Sequence, residues 1–357
     1  GGASANSNTP ASTSQLPDLA AIYRGSEHAP PATSPPPAKG KSVWWINCGA
    51  AAAGCNEPAL AGIQAGQYLG WKMTDYDAQF VNQSKGIRAA IAAHADAIIT
   101  HGMTCDNNIE AVKEARAAGI AMLNSEHLDC KGQQLYNVPF IPNQTTPNWA
   151  DYFRDAWGRP MVEYAIAKTK GNLKAIVVKD IDGFSSTVGD GQSAALAECS
   201  TCKVVDTVDF TAAQLGDGTL TAKFKAALIA HPEANAVIYP YDTVVTLSGL
   251  SRAIKQEGRT DMIVVSEGGY APTMALIRKG GEGLTAVNAN SPVIVGYSAI
   301  DALNRYFQGT PPRPEGLGFR MIDADHGLPA SGGYVTPLDY VGLMKKAWAA
   351  GAETPKK

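Results

Sequence analysis

Short apolar runs alternate along this chain with longer stretches of helical period, and one such pattern occurs twice. Ala95-Asp96-Ala97-Ile98-Ile99-Thr100 is followed by a helix-like segment at 107–118, then by Gly119-Ile120-Ala121-Met122-Leu123-Asn124-Ser125-Glu126. Ala234-Asn235-Ala236-Val237-Ile238-Tyr239 is followed by a helix-like segment at 242–257, then by Asp261-Met262-Ile263-Val264-Val265-Ser266-Glu267. Each reads as a buried strand, a crossover helix and a second buried strand. Apolar runs this short, separated by helices, predict parallel sheet covered on both faces. Two copies far apart predict two similar α/β lobes rather than one large sheet. Ligands of such sheets sit beyond the carboxyl ends of the strands, so both Ser-Glu pairs are expected at a cleft between the lobes.

The same reading predicts further strands at 43–47, 72–76, 135–141, 174–179, 203–208, 283–287 and 319–322. Helices are expected at 58–70, 82–93, 148–169, 187–197, 218–230, 271–279, 293–307 and 338–349, with Pro58 suited to a first helical turn. Segments 142–147 and 288–292 read as crossings between lobes. The first lobe is therefore expected to hold 41–143 with 291–325, and the second 144–290 with 326–350. Residues 1–40, rich in Ser, Thr, Ala and Pro, show neither period and read as a disordered tether or linker.

A length of 357 residues with 45% hydrophobic content suits two cores. The net charge of −3, with no basic stripe, argues against nucleic acid or an anionic membrane surface as partner. No apolar run approaches the roughly 20 residues needed to span a bilayer. The start Gly1-Gly2-Ala3-Ser4-Ala5-Asn6-Ser7 has the composition found just after the removed signal and lipid-bearing cysteine of a bacterial lipoprotein. An extracytoplasmic location, periplasmic or at the cell surface and lipid-anchored through that cysteine, is the expectation. The alternative is a cloning remnant with a disordered tail.

Six cysteines support export. Cys199-Ser200-Thr201-Cys202 could be a redox pair or half a zinc site, but there is no second Cys-x-x-Cys and no nearby His. A structural disulfide is the better reading. Pairings Cys48–Cys55, Cys105–Cys130 and Cys199–Cys202 are the most economical of the fifteen that six cysteines allow.

Several segments, in order and spacing, carry a resemblance. They are Asn56-Glu57-Pro58; Asp242-Thr243-Val244-Val245-Thr246-Leu247-Ser248-Gly249 with Ala253-Ile254-Lys255; Leu284-Thr285-Ala286-Val287-Asn288-Ala289-Asn290-Ser291-Pro292; and Gly296 with Ala299. Over residues 41–325 the chain resembles the periplasmic sugar-binding proteins of ABC importers, of the ribose-binding-like type. The resemblance implies two three-layer lobes with parallel sheets joined by a multi-strand hinge, the type I fold. It implies a monomeric solute-binding protein that captures a small sugar or polyol and delivers it to an ABC permease by hinge closure. A sensor subunit for a chemotaxis or kinase receptor needs the same closing cleft and is the alternative. The chain also departs from the family. Glu126-His127 stand for its Asp-Arg pair, Ser186 for an arginine, and Ala59 and Leu60 for the aromatics after Pro58. Trp44, Trp45, Phe184 or Tyr241 would have to supply a replacement ring face.

The candidate ligand-binding residues are Asn47, Glu57, His101, Glu126, His127, Phe184, Ser186, Tyr241, Asp242, Glu267 and Asn290. Each has a plainer reading. Asp242 could cap its helix, Glu126 and Glu267 could be solvated strand ends, and His101 and His127 could be buried structural groups. Asn290 could bond hinge backbone, and Phe184 and Tyr241 could simply pack. Neither a catalytic residue nor a cofactor nor a metal is expected. Gly183-Phe184-Ser185-Ser186 is not a nucleophile elbow, no phosphate loop is present, and only a glycosidase-like carboxylate pair keeps an enzyme in view. A repressor would need an N-terminal helix-turn-helix where this chain is Pro-rich. Carboxylates accept hydrogen bonds and repel anions, so Glu57, Glu126, Asp242 and Glu267, with no Arg or Lys at the matched positions, predict a neutral sugar or polyol, or a cationic amine.

Overall fold

The apolar runs at 97–101 and 121–125 are buried at every position, as strands covered on both faces must be. In the computed structural model, which describes residues 16–182 and 186–355, they form β3 (Ala97–His101) and β4 (Ala121–Ser125). With β1 (Ser42–Asn47) and β2 (Lys72–Asp77) they make a parallel sheet of order β2-β1-β3-β4. The second sheet contains β5 (Lys174–Asp180), β6 (Lys203–Phe210), β7 (Ala236–Ile238), β8 (Ile263–Gly268), β9 (Ala286–Ala289) and β10 (Arg320–Asp323). Its order is β10-β9-β8-β7-β5-β6, all parallel except β10 against β9. The run β6-β5-β7-β8 repeats the order β2-β1-β3-β4. Two similar α/β lobes are therefore present, each with a switch point where its strand order reverses.

Several elements differ from expectation. The strand expected in the first lobe at 319–322 is β10, and it pairs with β9 in the second sheet. The closing helix, Tyr340–Ala350, is expected in the second lobe; its Trp348 instead stacks on Tyr297 and lies against Tyr68 of the first. No strand forms at 135–141. Pro139 has no N–H to donate, and Asn137 and Val138 bond to the Met122 backbone instead, so the segment shields the β4 edge. The first helix begins at Ala53, leaving Pro58 inside it. The helix expected at 242–257 is split into Thr243–Thr246 and Leu250–Gln256 by Gly249, whose φ is +67°.

Helix Pro292–Gln308, which follows the second crossing, packs on helix Ala53–Tyr68. Gly296 permits this approach, because a Cβ there would stand 2.4 Å from the Gly62 nitrogen.

The largest correction concerns 16–40, which is ordered against both lobes rather than a tether. Helix Leu19–Arg24 docks on β10, where the Tyr23 hydroxyl donates to Asp323 at 2.7 Å and its ring stacks on His326 at 3.7 Å. The Pro-rich part then lies along helix Pro292–Gln308. Arg305, almost fully buried, donates to the Thr33 carbonyl, to Asp301 at 2.8 Å and to Glu353 at 2.9 Å. Asn304 accepts from the Ala38 nitrogen at 2.8 Å, and Gln308 donates to the Pro36 carbonyl at 2.7 Å. A Pro-rich strand has little entropy to lose and many carbonyls unpaired within the strand. It needs donors from a neighbour rather than a core of its own. Arg305→Ala would leave Asp301 buried without its cation, and should lower the unfolding free energy by about 3–5 kcal/mol. Urea denaturation checks this, and a variant as stable as the parent would contradict the account.

Candidate functional site

The loops beyond the strand ends of both sheets face one another across a cavity of about 370 Å³. On the first-lobe side His101 ends β3, and Glu126 follows β4 with φ of +52°. That left-handed turn sends Glu126 to the cavity, where its carboxylate accepts from His101 Nε2 at 3.2 Å and from Asn290 Nδ2 at 3.0 Å. Asn290 belongs to the crossing after β9, so the Glu126–Asn290 bond links the lobes at the hinge. From the second lobe come Tyr241 and Asp242 after β7, Glu267 within β8, and Tyr270 before helix Ala271–Lys279. The two Ser-Glu repeats thus place both glutamates in the same cavity wall.

Asp242 holds the most demanding position. It stands at a helix N-cap, but its side chain makes no capping bond, and among the described residues neither of its buried carboxylate oxygens has a hydrogen-bond partner. Burial pushes its pKa up to about 7; the nearby Thr273 hydroxyl opposes this, and the charge of Glu57 adds to it. Thr273 cannot satisfy Asp242, because it already donates to the Tyr270 carbonyl at 2.9 Å. Gly268, with φ of +129°, lets Asp242 lie this close, since a Cβ there would stand 2.8 Å from the Asp242 Cβ. Glu267 is pushed well above the usual carboxylate range, first by burial and then by the charges of Glu126 and Asp242.

The family model of the periplasmic binding protein domain matches residues 36–311. The chain belongs to that family. None of the curated proteins matches it at a significant level. Among solved structures it is similar to an ABC transporter solute binding protein from Agrobacterium vitis with bound allitol. That likeness is 19% identical with a TM-score of 0.66, and covers 80% of this chain and 96% of that one. It is also similar to the periplasmic binding protein of the arabinose ABC transporter from Shewanella sp. ANA-3, bound to α- and β-L-arabinofuranose. The values there are 20% identity, a TM-score of 0.63, and 87% and 97% coverage. A Mycobacterium smegmatis solute binding protein with bound glycerol gives 16%, 0.67, 83% and 100%. At such identities these likenesses establish the fold, that of a type I periplasmic binding protein.

Within this periplasmic binding protein, His101, Glu126, Tyr241, Asp242 and Glu267 line the cavity. Asn290 reaches it only through Glu126. His127 does not line it: residues on either side of the Glu126 turn point apart, and its imidazole is buried between Thr100 Oγ1 and the Leu128 carbonyl, both at 2.7 Å. Burial there lowers its pKa to about 3. Asn47 is a loop brace, accepting from the Gly49 nitrogen at 3.0 Å and donating to Asn56 at 3.1 Å. Glu57 is exposed on its helix and Ser186 is exposed at the start of its own, while Phe184 lies outside the described residues.

The ring faces also differ from expectation. Trp44 stacks on Tyr76 and Trp45 packs in the core, so neither reaches the cavity. Phe80, Trp157 and Tyr270 join Tyr241 in its wall. Phe80 follows β2, and its ring lies where any side chain on Gly49 would be. Trp157 comes from the π-helical stretch Tyr152–Gly158 and donates its indole N–H to the Pro240 carbonyl at 2.9 Å. The three cysteine pairs are Cys48–Cys55, Cys105–Cys130 and Cys199–Cys202, and Cys48 and Cys55 belong to the cavity wall.

The folded pKa of Asp242 is raised above its unfolded value of about 3.9. Its contribution to the stability of the empty protein is therefore complete below that value and lost as pH rises through about 7. Asp242→Asn should raise the stability of the empty protein at pH ~8 by on the order of 1–3 kcal/mol and change it little at pH ~4. Urea unfolding at the two pH values checks this, and an equal effect at both would contradict it.

Proposed function

We propose that this protein is an extracytoplasmic solute-binding protein that closes its cleft on one small neutral sugar or polyol. In this reading it then hands the ligand to an ABC permease. The carrying observation is the pair of unpartnered, buried Asp242 oxygens in a cavity wall that, among the described residues, holds four carboxylates and no lysine or arginine. Residues 183–185 are Gly-Phe-Ser and add no cation. An anion beside those groups would be buried unpaired, at a cost of several kcal/mol that a few hydrogen bonds do not offset. Hydroxyl groups supply the donors that Asp242 lacks, and the apolar faces of a sugar suit the rings of Phe80, Trp157, Tyr241 and Tyr270. The cavity is at the small end of the roughly 300–1,000 Å³ range of ligand sites, which favours a single small molecule. Solved relatives with allitol, arabinofuranose and glycerol bound support the same ligand class.

A thermal-shift screen of sugars, polyols, sugar acids, sugar phosphates and polyamines tests the reading. Neutral polyols or sugars should raise the melting temperature, and Asp242→Ala should abolish the shift. A response confined to sugar phosphates or dicarboxylates would overturn it. Closure has its own test: the radius of gyration from X-ray scattering should fall when the responding ligand is added, and a radius unchanged at saturation would rule out the hinge.

A further inference from the structure

The disulfide in the cavity wall is coupled to an acid–base pair. Cys48 Sγ lies 3.7 Å from His101 Nδ1, and His101 Nε2 lies 3.2 Å from Glu126 Oε2. Glu126 can only accept from a neutral imidazole, so Nε2 carries the proton and Nδ1 turns its lone pair toward Cys48. Asn290 holds the far oxygen of Glu126 at 3.0 Å, which fixes the carboxylate behind the ring. Sulfur, imidazole and carboxylate thus stand in the order that activates a cysteine thiolate. The partner sulfur belongs to the more accessible residue, because Cys48 is buried whereas Cys55 is half-buried at the start of helix Ala53–Tyr68.

We propose that the Cys48–Cys55 disulfide is a thiol–disulfide exchange site for small thiols, with Cys55 as the attacked sulfur and Cys48 as the leaving group. A small thiol, RSH, enters the cavity and its thiolate attacks Cys55 Sγ. The new S–S bond joins R to Cys55 as the Cys48–Cys55 bond breaks, and the bonding pair leaves on Cys48 as a thiolate. The proton lost by RSH ends on His101 Nδ1, giving a thiolate–imidazolium pair backed by Glu126. One disulfide is consumed and one is formed, so no outside oxidant is required. Exchange is faster when the departing sulfur is the better-stabilised thiolate, and His101 provides that stabilisation for Cys48.

Two influences compete with this direction. The helix N-terminus favours a thiolate on Cys55, which would make Cys55 the leaving group. Attack would then have to reach the buried Cys48, so access and His101 together decide for Cys55. The titratable groups around the pair are Glu126 and His127 after β4, Asp75 and Asp77 in β2, Glu57 on the helix, and Asp182, Asp242 and Glu267 across the cavity. Apart from His127, whose pKa is lowered to about 3, these are acids. Burial pushes Asp242 and Glu267 toward their neutral forms; those acids that are ionised oppose a lone thiolate, so the thiolate forms as a pair with the imidazolium.

The test treats the folded full chain with millimolar 2-mercaptoethanol, a neutral thiol small enough for a wall that rejects anions, quenches with acid, and maps adducts by peptide mass spectrometry. The mercaptoethanol adduct should be found on Cys55, with Cys48 free. Iodoacetamide labelling of that Cys48 should have a pH midpoint below about 7.5, against about 8.5 for an ordinary thiol. His101→Asn should slow formation of the adduct about tenfold and return the midpoint to the ordinary range. Glu126→Gln should move both in the same direction by less. The adduct on Cys48, no adduct at this disulfide, or a midpoint near that of an ordinary thiol would each overturn the proposal. These readouts come from the parent chain and stand whether or not the variants fold.

Discussion

A carboxylate removed from water must be neutralised or surrounded by donors, and among the described residues none donates to Asp242. Its two oxygens lie in a wall shared with Glu126 and Glu267, and burial holds it near the point of taking up a proton. This frustration costs stability and is of use only if something arrives to relieve it. A neutral molecule carrying several hydroxyls does so without bringing another charge into a low-dielectric space. The site is therefore selective through what it leaves unpaired.

The backbone makes this arrangement possible. Parallel sheets in both lobes direct the ends of β3, β4, β7 and β8 toward one cavity, so charged side chains meet there although they are far apart in sequence. Glu126 adopts a left-handed conformation, and Gly268 occupies a region open only to glycine beside Asp242. The Asn290–Glu126 bond joins the lobes at the crossing after β9. Residues 16–40 tie the two lobes together by bonding both to β10 and to helix Pro292–Gln308.

The parts of this plan legible in the sequence are those carried by local periodicity. The repeated strand-helix-strand unit announced two lobes and brought its two Ser-Glu pairs to a common cleft. Asp242 was legible as an N-terminal acid, but the choice between capping and an unpartnered site required coordinates. Phe80 and Tyr270 follow strands, where ligands of such sheets gather; of the expected ring faces, Tyr241 lines the cavity and Trp44 and Trp45 do not, because both lie within β1. Trp157 left no comparable signal, since a π-helical turn has no distinct apolar period. His127 falls outside the cavity wall because the backbone turn at Glu126 separates neighbouring side chains. The order in 16–40 depends on donors from Arg305, Asn304 and Gln308, some 270 residues away, and composition alone cannot reveal those partners.

The central claim is that an uncompensated Asp242 is met by ligand hydroxyls, and proton linkage measures it most directly. Calorimetric titration of the best-responding neutral sugar or polyol, in buffers of different ionisation enthalpy, counts the protons exchanged on binding. With Asp242 near pKa 7 in the empty cleft, binding at pH ~6 should release up to one proton, and release should fade above pH ~8. Affinity should weaken by as much as about tenfold for each pH unit below about 7. Binding with no proton release at any pH, or with proton uptake, would contradict the account.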